Sequence, residues 1–172
     1  MRFSKYALSL VLFSASFTYG QTLPDSWKRV GLADLKVLWF DIYRAELFSS
    51  NGQFEGLDEP LLLKLTYLRD IRKSDLLEET RKQIQPFALQ TAVEGWLSQL
   101  DGIWVDIKKG DELAFWINSQ GVGHFFSKNR WLGAIEDPEF GRAFIQIWLS
   151  DQSSYPQLAK QLRGESSHEV SN

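Results

Sequence analysis

The chain has 172 residues, 19 basic against 22 acidic, and no cysteine. The missing thiols exclude disulfides, thiolate metal ligands and thiolate nucleophiles, and a formal charge of −3 argues against a phosphate-binding surface as the main business. This length suits one domain with a sizeable core.

Met1 is followed by Arg2 and Lys5, an apolar run from Ala7 to Phe17 broken only by serines, and then Thr18-Tyr19-Gly20. That order of basic, apolar and small residues predicts a secretory signal peptide over residues 1–20, cleaved after Gly20. The run is shorter than the ~20 apolar residues that a membrane span needs, and an uncleaved anchor or a buried N-terminal helix is the alternative. No cysteine follows, so lipoprotein processing has nothing to acylate. Cleavage removes Arg2 and Lys5 and leaves 17 basic against 22 acidic residues. The expected product is periplasmic or secreted, with a domain over 21–164 and a disordered polar tail over 165–172.

Lys36 to Phe48 predicts a strand, rich in aromatic and β-branched residues and ended by Ser49-Ser50-Asn51-Gly52. Leu61 to Leu68 predicts a second, antiparallel to the first. Ser74 reads as the N-cap of a helix with Leu76, Leu77, Thr80 and Ile84 on one face. Pro86 breaks or kinks it, and a stripe at Leu89, Val93, Trp96, Leu97 and Leu100 continues the helical pattern. A meander follows, with strands at Glu112 to Ile117, Val122 to Ser127 and Trp131 to Ile135. Asp137 then caps a helix with Pro138 at its first position, striped by Phe140, Phe144, Ile147 and Trp148. A short helix from Pro156 to Arg163 stops at Gly164.

Two groups of strands with helices between and after them predict an α+β fold, an antiparallel sheet carrying helices on one face. Leu38-Trp39-Phe40 and Leu113 to Ile117 are apolar on both alternating faces, which a sheet wetted on one side does not require. An apolar ligand cleft, a doubly covered sheet or a dimer interface each accounts for that pattern.

Few side chains suggest chemistry. His124, inside a predicted strand, has no second ligand in view, so neither a metal site nor a triad is expected. Gly121-Val122-Gly123 opens a strand and is a hairpin turn, not a dinucleotide fingerprint. Asp137 and Glu139 are explained by capping and the helix dipole. Arg69 is the more informative residue, because alternation from Leu61, Leu63, Leu65 and Tyr67 carries it to the end of an apolar strand face. It is either a surface partner of Glu46 or Asp70, or a guanidinium able to hold a ligand carboxylate bidentately.

The segments LKVLWFDIYRAELF, LKLTYLRDIRKSDLLEE, DIKKGDELAFWI and RWLGAIEDPEFGRAFIQIWLS, in this order and spacing, resemble the chalcone isomerase-like family and specifically its exported bacterial members. The resemblance spans about residues 28 to 163. It implies an open-faced β-sandwich of chalcone isomerase type, with an elongated cleft between a large antiparallel sheet and the helices layered on it. The family contains plant enzymes that close a chalcone to a flavanone, non-catalytic relatives that assist them, and fatty-acid-binding relatives. Where the enzymes carry a catalytic threonine this chain has Tyr43, and a catalytic tyrosine matches Arg72, so both enzyme hydroxyl positions have changed. The fatty-acid-binding branch has a tyrosine at the first of these, together with an arginine about a dozen positions earlier. That place falls at Val30 or Gly31, leaving Arg29 as the nearest candidate and Arg69 as a substitute.

The expected function is therefore a periplasmic, non-catalytic protein binding a fatty acid or another amphiphilic small molecule. Its acid group is met by Tyr43 with Arg29 or Arg69, in a cleft to which Tyr67 and Trp39 contribute. The alternatives are an intramolecular lyase or isomerase with a non-plant site and a cell-envelope interaction module. No cofactor, metal or nucleic-acid partner is expected.

Overall fold

A computed structural model describes residues 22–165; the expected signal peptide and nearly all of the expected tail lie outside them. The elements are β1 (Lys28–Val37), β2 (Phe40–Ser49), β3 (Leu61–Tyr67), α1 (Lys73–Ile84), a 3-10 turn (Gln85–Phe87), α2 (Gln90–Ile103), β4 (Glu112–Ile117), β5 (Gly123–Ser127), β6 (Arg130–Ile135), α3 (Pro138–Leu149) and α4 (Pro156–Leu162). The six strands form one antiparallel sheet in the order β1-β2-β3-β4-β5-β6. α1 and α2 sit between β3 and β4, yet those two strands still pair. The helices and the inward strand face enclose the main apolar core, giving the α+β fold expected from the pattern of elements.

Strand periodicity sets the faces. On β2, Tyr43, Ala45 and Leu47 are buried, and they pair with Tyr67, Leu65 and Leu63 of β3. The intervening Arg44 and Glu46 lie on the opposite face and meet Asp34 and Arg29 there. The outer face also carries a small apolar cluster in which Leu62, Ala114 and Phe126 pack with Leu23 from the segment before β1. A covered outer patch thus explains why β4 is apolar on both faces.

Three expectations are corrected. The expected strand Lys36 to Phe48 is the end of β1, a two-residue turn at Leu38-Trp39, and β2. The turn carries none of the glycine, asparagine or aspartate that ordinarily marks one, and Leu38 takes a φ of +55°. Ser74 is not the cap of α1, because the helix starts at Lys73 and Arg72 holds the N-cap position with no side-chain capping bond. An Asp106 carboxylate from the loop after α2 accepts the Lys73 N–H at 2.8 Å instead. Leu89 is exposed at the N-cap of α2, while Val93, Trp96, Leu97 and Leu100 form its buried stripe.

Pro86 ends α1 because it cannot donate an N–H to the helix ladder, and the 3-10 turn carries it. α3 follows the expected start, with the Asp137 side chain accepting the Glu139 N–H at 3.0 Å. Glycines let two helices close onto the rest of the fold. A Cβ on Gly31 of β1 would stand 2.2 Å from the Gln161 carbonyl oxygen of α4, and one on Gly141 of α3 would stand 2.3 Å from the Gly121 carbonyl oxygen. α1, by contrast, packs mainly on α2 and α3.

Candidate ligand cleft

The space left under α1 is a cavity of about 380 Å³. Its floor is the inward face of β3 and β4, with Leu63, Leu65, Leu113 and Phe115, and its roof is Leu76 and Thr80 of α1 with Phe144 and Trp148 of α3. Exposed Arg69, Asp70, Asp75 and Glu79 mark where the cavity meets solvent. An apolar interior with a few polar groups at one side is the general form of a small-molecule site.

Tyr43 stands in this cavity as the alternation of β2 requires. Its hydroxyl accepts the Trp148 Nε1–H at 2.9 Å, which leaves its own proton free to donate. Its ring meets that of Tyr67 edge to face at 5.9 Å. Burial pushes both phenols well above their ordinary range, opposed for Tyr43 by the bond from Trp148 and reinforced for Tyr67 by its tyrosine neighbour. Both are therefore neutral hydroxyls at physiological pH.

Arg69 also lines the cavity. Neither of its expected surface partners takes it: Glu46 pairs with Arg29 at 2.9 Å, and Asp70 accepts the Lys109 N–H at 2.9 Å and lies 3.3 Å from Lys108 Nζ. Its guanidinium sits 5.3 Å from the centre of the Phe40 ring and has no ion pair among the described residues. Arg69 is the only lysine or arginine in the described lining.

Arg29 and Trp39 are corrected. Arg29 lies outside the cavity lining, its side chain 54% exposed and bound to Glu46 on the outer sheet face. An irregularity in the β1–β2 register between Arg29 and Gly31 separates it from the inward set Ala33 and Leu35. At Gly31, which with Val30 is the place where the resemblance implies an arginine, the strand is pressed against α4 and has no room for a side chain. Trp39 is 88% exposed in the β1–β2 turn and does not reach the cleft. Arg72, at the position of the enzyme tyrosine, also lies outside the lining and is bound to Asp75 at 2.8 Å.

Several lining residues were read only as core. Trp148 and Phe144 belong to the apolar stripe of α3, and Thr80 shares the face of Leu76 on α1; a polar residue within an apolar stripe was the available signal at Thr80. Trp104, which no sequence pattern marks, follows α2, lines the cavity, and leaves its buried Nε1–H without a partner among the described residues. Away from the cleft, His124 stacks on Trp116 at 5.0 Å with Nε2 3.2 Å from Asn118 Nδ2, and burial lowers its pKa. Asp137 both caps α3 and accepts the Trp96 Nε1–H at 2.9 Å, a structural role.

An antiparallel sheet with helices on one face and an apolar cleft between them defines a small-molecule-cleft fold of the open-faced β-sandwich kind. The family model described as chalcone isomerase-like matches residues 30–164, and the chain belongs to the chalcone isomerase-like family. A Haemophilus influenzae (strain Rd) protein titled only as uncharacterized is 29% identical over 163 residues, covering 92% of this chain and 80% of that one. The crystal structure of an Arabidopsis thaliana fatty-acid binding protein has the same fold, with a TM-score of 0.64 at 10% identity, covering 92% of this chain and 95% of that one.

Proposed function

We propose that this chain is a periplasmic, non-catalytic protein that binds a fatty acid or similar apolar carboxylate in the cleft between sheet and helices. The observation that carries the reading is the polarity of the cleft, which has an apolar interior and, among its described lining, one cation. Asp70 and Asp75 stand near Arg69, but their charges are met elsewhere: the Lys109 N–H and Lys108 hold the Asp70 carboxyl below its usual range, and Arg72 does the same for Asp75. Glu79, the third carboxylate of the lining, accepts the Gln83 Nε2–H, and Arg69, with no ion pair of its own among the described residues, is the group that meets a ligand acid. The neutral Tyr43 hydroxyl offers a further donor, and the hydrocarbon lies against Leu63, Leu65, Phe115 and Phe144.

The fold shared with the Arabidopsis fatty-acid binding protein supports this assignment. So does the change at both enzyme positions, a tyrosine hydroxyl at Tyr43 standing for the threonine and the Arg72 guanidinium, itself outside the lining, bound to Asp75. Arg2, Lys5 and the apolar run before Gly20 support export, so the ligand is met outside the cytoplasm.

The test is native mass spectrometry and lipid extraction of the protein purified from the periplasm, followed by titration with a fluorescent fatty acid. The expected result is a co-purifying acid and an Arg69→Gln variant with about tenfold or weaker affinity, since a hydrogen bond to a charged group contributes roughly 1.5–3 kcal/mol and a factor of ten corresponds to about 1.4. A chain that is always empty and takes up no labelled fatty acid overturns the reading.

A further inference from the structure

The β1–β2 turn is the most apolar exposed feature of the described residues. Leu38 is 80% exposed, Trp39 88% and Phe40 57%, and Val37 beside them is also exposed. Nothing in the folded chain calls for these residues. A two-residue hairpin favours glycine, asparagine or aspartate where φ is positive, yet Leu38 holds a φ of +55°. Backbone strain combined with exposed large side chains is a pattern associated with function and not with folding.

Position narrows that function. Val37 and Ile42, on the two arms of the hairpin, both line the cleft, so the apolar tip is continuous with the cleft mouth. Arg69, the lining cation without an ion pair among the described residues, lies against the Phe40 ring. The tip therefore stands beside a cation that has no ion pair among the described residues, at a mouth that also carries the carboxylates of Asp70, Asp75 and Glu79. A convex two-residue turn is too small for a stable protein interface, which takes on the order of 800 Å² from each partner. Tryptophan and phenylalanine at a protruding tip suit the headgroup region of a bilayer, and a cation at that depth suits anionic headgroups.

We propose that the Val37 to Phe40 tip is a membrane-docking element that seats the mouth of the cleft on an anionic lipid bilayer. The tip enters the interfacial layer and Arg69 meets lipid phosphate or the leaving acid. A ligand then passes between bilayer and cleft without crossing water. The docking stands on the tip alone; its purpose as a loading step rests on the lipid-binding reading above.

The experiment is flotation of the protein with vesicles of phosphatidylethanolamine and phosphatidylglycerol, beside vesicle-free titration with a fluorescent fatty acid. Wild type is expected to float. Leu38→Ser with Trp39→Ser is expected to lower vesicle binding by about tenfold or more, because each large apolar side chain returned to water forfeits roughly a factor of ten. Uptake of fatty acid in solution stays unchanged in that variant. Leu38→Gly is the second variant, expected to raise the melting temperature by relieving the positive φ while still weakening flotation.

A wild type that does not float, or a double variant that floats equally well, overturns the docking, whatever the titration gives. A wild type that dimerises in solution while the double variant is monomeric assigns the tip to a second copy and overturns it too. Flotation without fatty-acid uptake leaves the docking standing and removes the lipid-binding reading instead.

Discussion

The layer between sheet and helices is filled on one side and hollow on the other. Beneath α3, Phe140 meets Trp96, Phe115, Phe125 and Phe144 at ring separations of 5.1 to 6.1 Å. Beneath α1 the same layer holds the 380 Å³ cleft. The difference traces to helix composition and to glycine. α3 buries most of its residues and Gly141 brings it against the β4–β5 turn, whereas α1 buries only Thr80 and Ile84 and presents a charged outer face. A protein interior is ordinarily close-packed, so an open half maintained beside a closed one identifies the cleft as a designed feature of the fold.

The largest effect tests that asymmetry directly. Phe140→Ala, in the filled half, is expected to cost about 3–5 kcal/mol, the usual range for an aromatic lost from a packed core. Leu76→Ala, in the roof of the cleft, is expected to cost roughly 1 kcal/mol, because its side chain already borders empty space. Denaturant unfolding of the two variants checks both values. Equal losses would mean that the hollow half is packed in solution.

The helix-seating glycine sharpens the same contrast at smaller scale. Gly141→Ala drives a methyl against a backbone carbonyl at 2.3 Å and is expected to cost about 1–3 kcal/mol. Gly95 of α2 has nothing within 4 Å of an added Cβ, so Gly95→Ala is expected to gain about 0.5–1 kcal/mol from helix propensity. Thermal melts of the pair separate close approach from propensity. A neutral Gly141→Ala would show that α3 can lift off its seat.

How much of this was legible in the sequence depended on whether the signal was local. The apolar runs of β3 and β4, the Asp137-Pro138 start of α3 and the Pro86 break are local patterns, and each predicted its element. Tyr67 and Arg69 are legible because period-2 alternation carries them to one strand face, and Tyr43 because the family resemblance implies a ligand-holding tyrosine at that position. Trp39 and the turn around it were misread because Leu38-Trp39-Phe40 are strand formers occupying a turn, so the usual punctuation was missing. The α1 cap was invisible because its acceptor, Asp106, comes from more than thirty residues away. Arg29, the arginine nearest to the place that the resemblance implies, lies on the outer face beyond a register irregularity in β1 that no local pattern marks. The helical roof, from Thr80 to Trp148, becomes a site only through tertiary packing, and no spacing announces it.

The two halves also differ in their response to pH. The aromatic rings packed around Phe140 carry no titrating group, whereas the cleft buries the Tyr43 and Tyr67 phenols, both shifted upward chiefly by desolvation. In the unfolded chain these phenols release their protons near pH ~10. The folded chain keeps them to higher pH, so between the two pKa values it binds more protons than the unfolded chain does. Stability contributed by the shift is then fully present below about pH 10 and is lost as pH rises above it, at up to about 1.4 kcal/mol per pH unit for each tyrosine. Tyr43→Phe removes one titrating group and is expected to lower that alkaline slope by up to about 1.4 kcal/mol per pH unit. It also costs about 1–3 kcal/mol at neutral pH, because the buried Trp148 N–H loses its acceptor. Denaturant unfolding between pH 9 and ~11 measures the slope. An unchanged slope in Tyr43→Phe would mean that the Tyr43 phenol is solvated in the folded chain and that water already fills the cleft around it.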